Sequence, residues 1–255
     1  MKQAIILWAA AAIIAFIAGY TQNTTSSYYP INGTVDISSG EISYSFDKIF
    51  RGKGSYQVLV VGDFTNQTGM LMWKDENNSS KWNNIPLRNS NNELIGEIPQ
   101  HQPMSKVEYR VRLNDNGKFI LLPQTQNVTM QFLGNVPSQI MQFYFITLFA
   151  GILLSIRTSL EIFTERPRIK MYTIFTLISF FSFTLIFSTV KRGCELGLIG
   201  GTKIAPLNEL FSSGPVLLLS AWILALILVF NSKKSKFWAV IAGIATLIIF
   251  FFGRF

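Results

Sequence analysis

The sequence predicts a membrane α-helical chain of about five spans that carries an all-β sandwich between the first span and the second. Three observations predict it. Hydrophobic residues make up 49% of the 255 and charged ones only 14%, against roughly 25% charged in ordinary soluble domains. Five apolar runs have the length of a bilayer crossing or approach it. Between the first two runs the pattern changes to a period of two, the alternation of half-buried strands.

The first run, Ala4 to Tyr20, follows a single positive charge at Lys2. It reads as a cleaved signal peptide or a retained anchor over residues 1–20. Ala18 to Gln22 offers no clean small-x-small cleavage site, which favours the anchor. Residues 21–30 are polar and aperiodic, a linker by composition.

Residues 31–133 read as the sandwich. Ile42, Tyr44 and Phe46 alternate with serines, and the segments Tyr56–Val61, Met70–Trp73, Trp82–Leu87, Glu93–Ile98 and Lys106–Leu113 follow between Asn-, Ser- and Gly-rich turns. Short strands at that spacing suit two packed sheets. Val107, Tyr109, Val111 and Leu113 fall on one strand face, with Glu108, Arg110 and Arg112 on the other. Arg110 and Arg112 are therefore candidates for an anion-binding patch, and a merely solubilising face is the plainer alternative.

Four segments of this region, Gly69–Trp73, Trp82–Leu87, Gly96–Pro99 and Val107–Leu113, resemble the strand sequences of immunoglobulin-like or fibronectin-type extracytoplasmic modules. That resemblance implies an immunoglobulin-like fold and says almost nothing of function, because such modules bind, space and scaffold. The whole chain also resembles an uncharacterised family of bacterial multi-pass membrane proteins with an N-terminally anchored module of this kind.

The membrane portion is expected over 134–255, with helices near 137–157, 171–190, 215–230 and 237–252. Pro137 suits a first helical turn, where a missing N–H costs nothing, and Asn135 is the expected N-cap. Only Gly134, Asn135 and Val136 separate the last strand from that proline, so Pro137 is a candidate coupling point between the β portion and the second span. Arg157 and Glu161 lie four apart on one helix face. They read as interfacial anchors whose charges snorkel to water, or alternatively as a polar site between helices. Tyr172, Thr176, Ser179 and Phe183 share a face whose small hydroxyls suit close helix packing.

The net charge is +8, but the basic residues cluster beside apolar runs, which suits anionic headgroups and not a nucleic-acid partner. Arg157, Arg166, Arg168 and Lys170 at one connection, Lys233, Lys234 and Lys236 at another, and Lys2 all belong inside by the positive-inside rule, which places the β portion outside a plasma (inner) membrane. Lys191, Arg192 and Lys203, accompanied by Glu195 and Glu209, occupy the opposing loop, whose Gly-rich part is a candidate re-entrant segment.

One cysteine, Cys194, excludes an intramolecular disulfide and Cys-rich metal sites, and one histidine, His101, excludes the common His-based clusters. His101 is expected as a solvated loop residue. The Asn-x-Ser/Thr patterns at Asn23, Asn32, Asn66, Asn77, Asn78 and Asn127 carry no function in so Asn-rich a chain. No catalytic, metal or cofactor motif is recognisable. The expectation is a non-enzymatic role in binding, sensing or scaffolding of a protein partner in the membrane or envelope, the alternative being a transporter or an accessory subunit acting through the C-terminal helices.

Overall fold

The computed structural model describes residues 2–26, 28–76, 81–198 and 206–253. Asn77, Asn78 and the Gly-rich stretch with Lys203 lie outside the described residues. Two compact units divide the chain, one of Met1–Ser26, Val136–Cys194 and Leu198–Phe255, the other of Ser27–Asn135 and Glu195–Gly197.

The second unit is built of two sheets. Strands β1 (Ile31–Ile37), β2 (Gly40–Phe46), β4 (Tyr56–Val61), β8 (Glu93–Ile98) and β7 (Arg88–Ser90) form one, in that spatial order. The other runs β3 (Ile49–Arg51), β11 (Val128–Leu133), β9 (Lys106–Asp115), β5 (Thr68–Asp75), β6 (Asn83–Pro86), with β10 (Lys118–Leu122) also paired to β9. All pairs are antiparallel except β3 with β11.

Period-two burial closes the unit around one apolar core. Ile42, Phe46, Val58, Val60, Leu94 and Ile98 meet Leu71, Val107, Tyr109, Val111, Leu113 and Met130, all essentially inaccessible. Burying each of the large aliphatic ones stabilises by about 1.5–3 kcal/mol. Tight turns set the register: Asn91 and Asn92 link β7 to β8, and Asn116 and Gly117 link β9 to β10, all four at positive φ. Asn and Gly tolerate that conformation, and the turn it makes matches the strand twist.

Inside the core, the Tyr109 hydroxyl donates to the Asp47 carbonyl at 2.9 Å, and the Asp47 N–H donates to the Tyr56 hydroxyl at 3.2 Å. Burial pushes the Asp47 carboxyl and the Tyr56 hydroxyl up, and the deeper Tyr109 hydroxyl well up. Glu195 belongs to this unit: its carboxylate takes Arg51 Nη2 at 3.0 Å, and its carbonyl takes the Gly134 N–H at 2.8 Å.

The other unit is helical: α1 (Lys2–Thr25), α2 (Ser138–Leu160) ending in a 3₁₀ turn over Glu161–Phe163, α3 (Ile169–Ser182), α4 (Thr189–Glu195), the short α5 (Leu207–Leu210), α6 (Ser213–Asn231) and α7 (Ser235–Phe252). A π-helical turn over Phe183–Ser188 joins α3 to α4 as one rod. Among the described residues five helices are long and apolar enough to cross a membrane: α1, α2, the α3–α4 rod, α6 and α7. Their outward faces expose apolar side chains such as Ile5, Phe16, Phe145 and Ile248, as lipid contact requires.

Two boundaries differ from expectation. The linker expected over 21–30 is helical to Thr25, and the Thr21, Thr24 and Thr25 hydroxyls are satisfied there by carbonyls three or four residues back. The third span runs to Glu195, so Lys191, Arg192 and Glu195 stand on a helix end instead of in a loop.

Hydroxyls bond across the helix interfaces. Ser179 Oγ donates to the Thr147 carbonyl at 3.0 Å, Thr184 Oγ1 to that of Pro215 at 2.9 Å, and Ser159 Oγ to that of Ala239 at 3.0 Å. Gly151 and Gly243 allow the close approach: a Cβ on Gly151 would stand 2.6 Å from the Phe180 ring, and one on Gly243 would overlap the Ser159 hydroxyl.

Candidate functional sites

Two groups of charged side chains are held in non-random surroundings, one in each unit. In the β unit, β9 sets Glu108, Arg110 and Arg112 on the outer face of its sheet, and β5 sets Lys74, Met72 and Met70 directly opposite them. Neither arginine is freely solvated. The Arg110 guanidinium lies 4.8 Å from the centre of the Trp82 ring, which also takes Lys74 Nζ at 5.1 Å. Arg112 lies 5.2 Å over Phe119 of β10, and its Nη2 approaches Met70 Sδ at 3.5 Å.

This geometry describes how the two arginines of the patch reading are held. Both side chains are half-buried and spread over ring faces. Cation–π contact contributes about 0.5–1 kcal/mol at exposed sites, and its larger effect is to fix the direction of the N–H groups. Arg110 Nε is buried without a hydrogen-bond partner among the described residues. Glu108 is occupied by Lys74 at 3.1 Å. The face therefore presents two pre-oriented guanidinium groups among Met, Trp and Phe.

His101 is also placed differently from expectation. Its Nε2 lies 3.0 Å from Asp75 Oδ1 and its Nδ1 2.7 Å from the Pro99 carbonyl, with the ring packed on Trp73 and Phe132. It ties a loop to β5 and is not a solvated residue.

In the helical unit, Arg157 and Glu161 are each 2% exposed, with Nη1 2.6 Å from Oε1. The snorkelling expectation is thus overturned: the protein itself covers both side chains. The Arg157 guanidinium is flanked by the rings of Tyr172, at 4.9 Å, and Trp8, at 5.6 Å. Glu161 Oε2 accepts the Arg168 N–H at 2.7 Å. The short ion-pair contact lies off the hydrogen-bond line, so Arg157 Nε and Nη1 make no hydrogen bond among the described residues, and the Ser155 and Thr173 hydroxyls are likewise buried without partners.

This pair joins α1, α2 and the start of α3, because its surroundings come from all three. In the same helices the Thr158 and Thr176 hydroxyls pair at 3.3 Å.

Pro137 occupies the N-cap position of α2, and no side chain caps the helix, so Asn135 does not serve as the cap. The fixed φ of proline starts the helix without one. Among the described residues no three His, Cys, Asp or Glu side chains are grouped to hold a metal ion. Comparison with known proteins finds no family model and no curated protein that matches the chain.

Proposed function

We propose that this chain is a multi-pass protein of the plasma (inner) membrane that holds an immunoglobulin-like sandwich outside, and that the sandwich binds an acidic surface of a protein partner in the membrane or envelope, without catalysis. The observation that carries this is the outer face of β5 and β9, where Arg110 and Arg112 are held over Trp82 and Phe119. Arg, Trp, Met and Phe are enriched at the cores of protein interfaces, and Arg and Trp are among the residues that carry most of the binding energy there. Positive charge on that face complements carboxylates, and a planar guanidinium takes them two bonds at a time.

The fold assignment is supported by strand order. Strands β4, β8 and β7 follow one another in one sheet as B, E and D do in immunoglobulin sandwiches, and β11, β9 and β5 follow as G, F and C. The β1–β2 hairpin is an addition beside β4. Outward placement is supported by the basic residues Arg166, Arg168 and Lys170 between α2 and α3, and Lys233, Lys234 and Lys236 near the start of α7. Arg157 no longer counts towards that bias, since it is buried in a pair.

A second reading, transport through the helical unit, draws on the unpartnered Arg157 Nε and the Ser155 and Thr173 hydroxyls. Quantitative copurification of the full-length protein from native membranes tests the first. Arg110→Glu with Arg112→Glu should deplete a defined partner about tenfold or more, equivalent to at least about 1.4 kcal/mol. An unchanged partner profile with a folded double variant sinks the proposal.

A further inference from the structure

The edge of the second sheet at β10 is open and self-complementary. Among the described residues β10 pairs only with β9, because β3 pairs only with Gln131–Leu133 of β11 and leaves the edge beside Lys118–Leu122 uncovered. A groove of about 340 Å³ lies beside it, lined by Val35 and Asp36 of β1 and by Lys118–Leu121 and Gln124. Ile120 and Leu122 turn inward, Leu122 into the core, while Phe119 and Leu121 are 64% and 38% exposed.

Exposed strand edges with apolar side chains are templates for pairing, and proteins ordinarily blunt them with lysine, proline or short length. Here Lys118 and Pro123 guard only the two ends, and the centre of the strand is unguarded. We infer that the free edge of β10 is a self-association site, at which β10 of a second copy of this chain adds antiparallel in the groove.

The sequence selects the occupant and the register. An antiparallel two-fold pair centred on Ile120 is the alignment that matches all five residues of one β10 with all five of the other. It sets each exposed Phe119 opposite Leu121 of the second copy, an aromatic–aliphatic cross-strand pair on the outer face. Each surface is then used twice, as an isologous interface requires. Sliding by one residue sets the outward Phe119 opposite the inward Ile120 or Leu122, and sliding by two sets it opposite itself or opposite Pro123. The incoming strand also brings its Lys118 into a groove that carries Asp36. A five-residue ladder alone is a small interface, but two copies confined to one membrane meet at a raised effective concentration.

Disulfide trapping in native membranes tests this with the full chain. One tagged copy carries Phe119→Cys and a differently tagged copy Leu121→Cys; both positions are exposed, so folding is retained, and the natural Cys194 is buried. Directly opposed residues have Cα atoms about 4.5–5.5 Å apart, inside the disulfide range of roughly 4.4–6.8 Å, whereas diagonal neighbours stand about 7–8 Å apart. Coexpression should give the heterodisulfide, and each variant alone should give little dimer. Thr129→Cys, exposed on β11, should give none. Equal dimer from all samples would show random collision and overturn the inference. So would absence of the heterodisulfide in chains whose folding is verified by proteolysis, or a crosslink to a different protein in its place.

Discussion

Removing either Arg157 or Glu161 alone leaves an uncompensated charge among buried side chains, whereas removing both leaves a gap that apolar atoms can fill. The energetics of buried ion pairs make these outcomes unequal. Breaking one side of such a pair costs about 3–5 kcal/mol, and replacing both partners by apolar residues of like volume is often neutral. Arg157→Met and Glu161→Gln should each lower the thermal stability of the purified protein strongly, and the double substitution should recover much of the loss. Additive losses would show that the two residues act independently. Trp8→Ala should imitate part of the Arg157 effect, because that ring covers the guanidinium. The spacing of Arg157 and Glu161 was legible in the sequence, but their burial was not. The rings that cover the arginine come from α1 and α3, and nothing local to residues 157–161 announces Trp8.

At the scale of elements, alternation was the most legible signal and hydrogen-bonded detail the least. Val107, Tyr109, Val111 and Leu113 pack as their spacing requires, since a one-residue slip would turn all four to water. Strands β7 and β10 are not among the strands expected from the sequence, although a two-residue Asn-Asn or Asn-Gly turn marks each and Asn116-Gly117 is among the strongest hairpin signals a sequence offers. The aromatic partners Trp82, just before β6, and Phe119, on β10, come from beside β5 and β9, so their contacts follow only once strand order is known.

The turns also carry a titrating cluster. Asp115, at the end of β9, accepts the Ser38 N–H at 2.9 Å and Gln67 Nε2 at 3.2 Å, with a further bond from the Ser38 hydroxyl. The Ser38 side-chain and backbone bonds, foremost, hold its carboxyl below the ordinary value. A carboxylate with a lowered folded-state pKa stabilises above its unfolded value of about 3.9, and that contribution is lost as pH falls through the folded value. The Asp115 contribution should therefore be lost on acidification through that window, while Asp47, whose carboxyl burial raises, contributes in the opposite direction. Ser38→Ala should flatten the decline, as read by tryptophan fluorescence at a series of pH values. An identical acid profile for the variant would remove the cluster from the account.

Orientation belongs to the molecule as a whole, and it decides which surfaces meet the outside. Charge bias is a weak force per residue: cytoplasmic anionic lipids attract each nearby Lys or Arg by about 1 kcal/mol. Arg166, Arg168 and Lys170 act together at one connection, and Lys233, Lys234 and Lys236 at the other. In the proposed orientation this bias keeps both connections inside, so that α1 runs outward and residues 31–133 lie outside. Cys194 is buried, so single cysteines placed elsewhere report cleanly. An impermeant thiol reagent applied to intact cells should label Asn91→Cys, at an exposed turn of the β unit, and should spare Ser235→Cys until the membrane is opened. The reverse pattern would invert the topology, and the partner proposed for Arg110 and Arg112 would then have to be a protein of the interior.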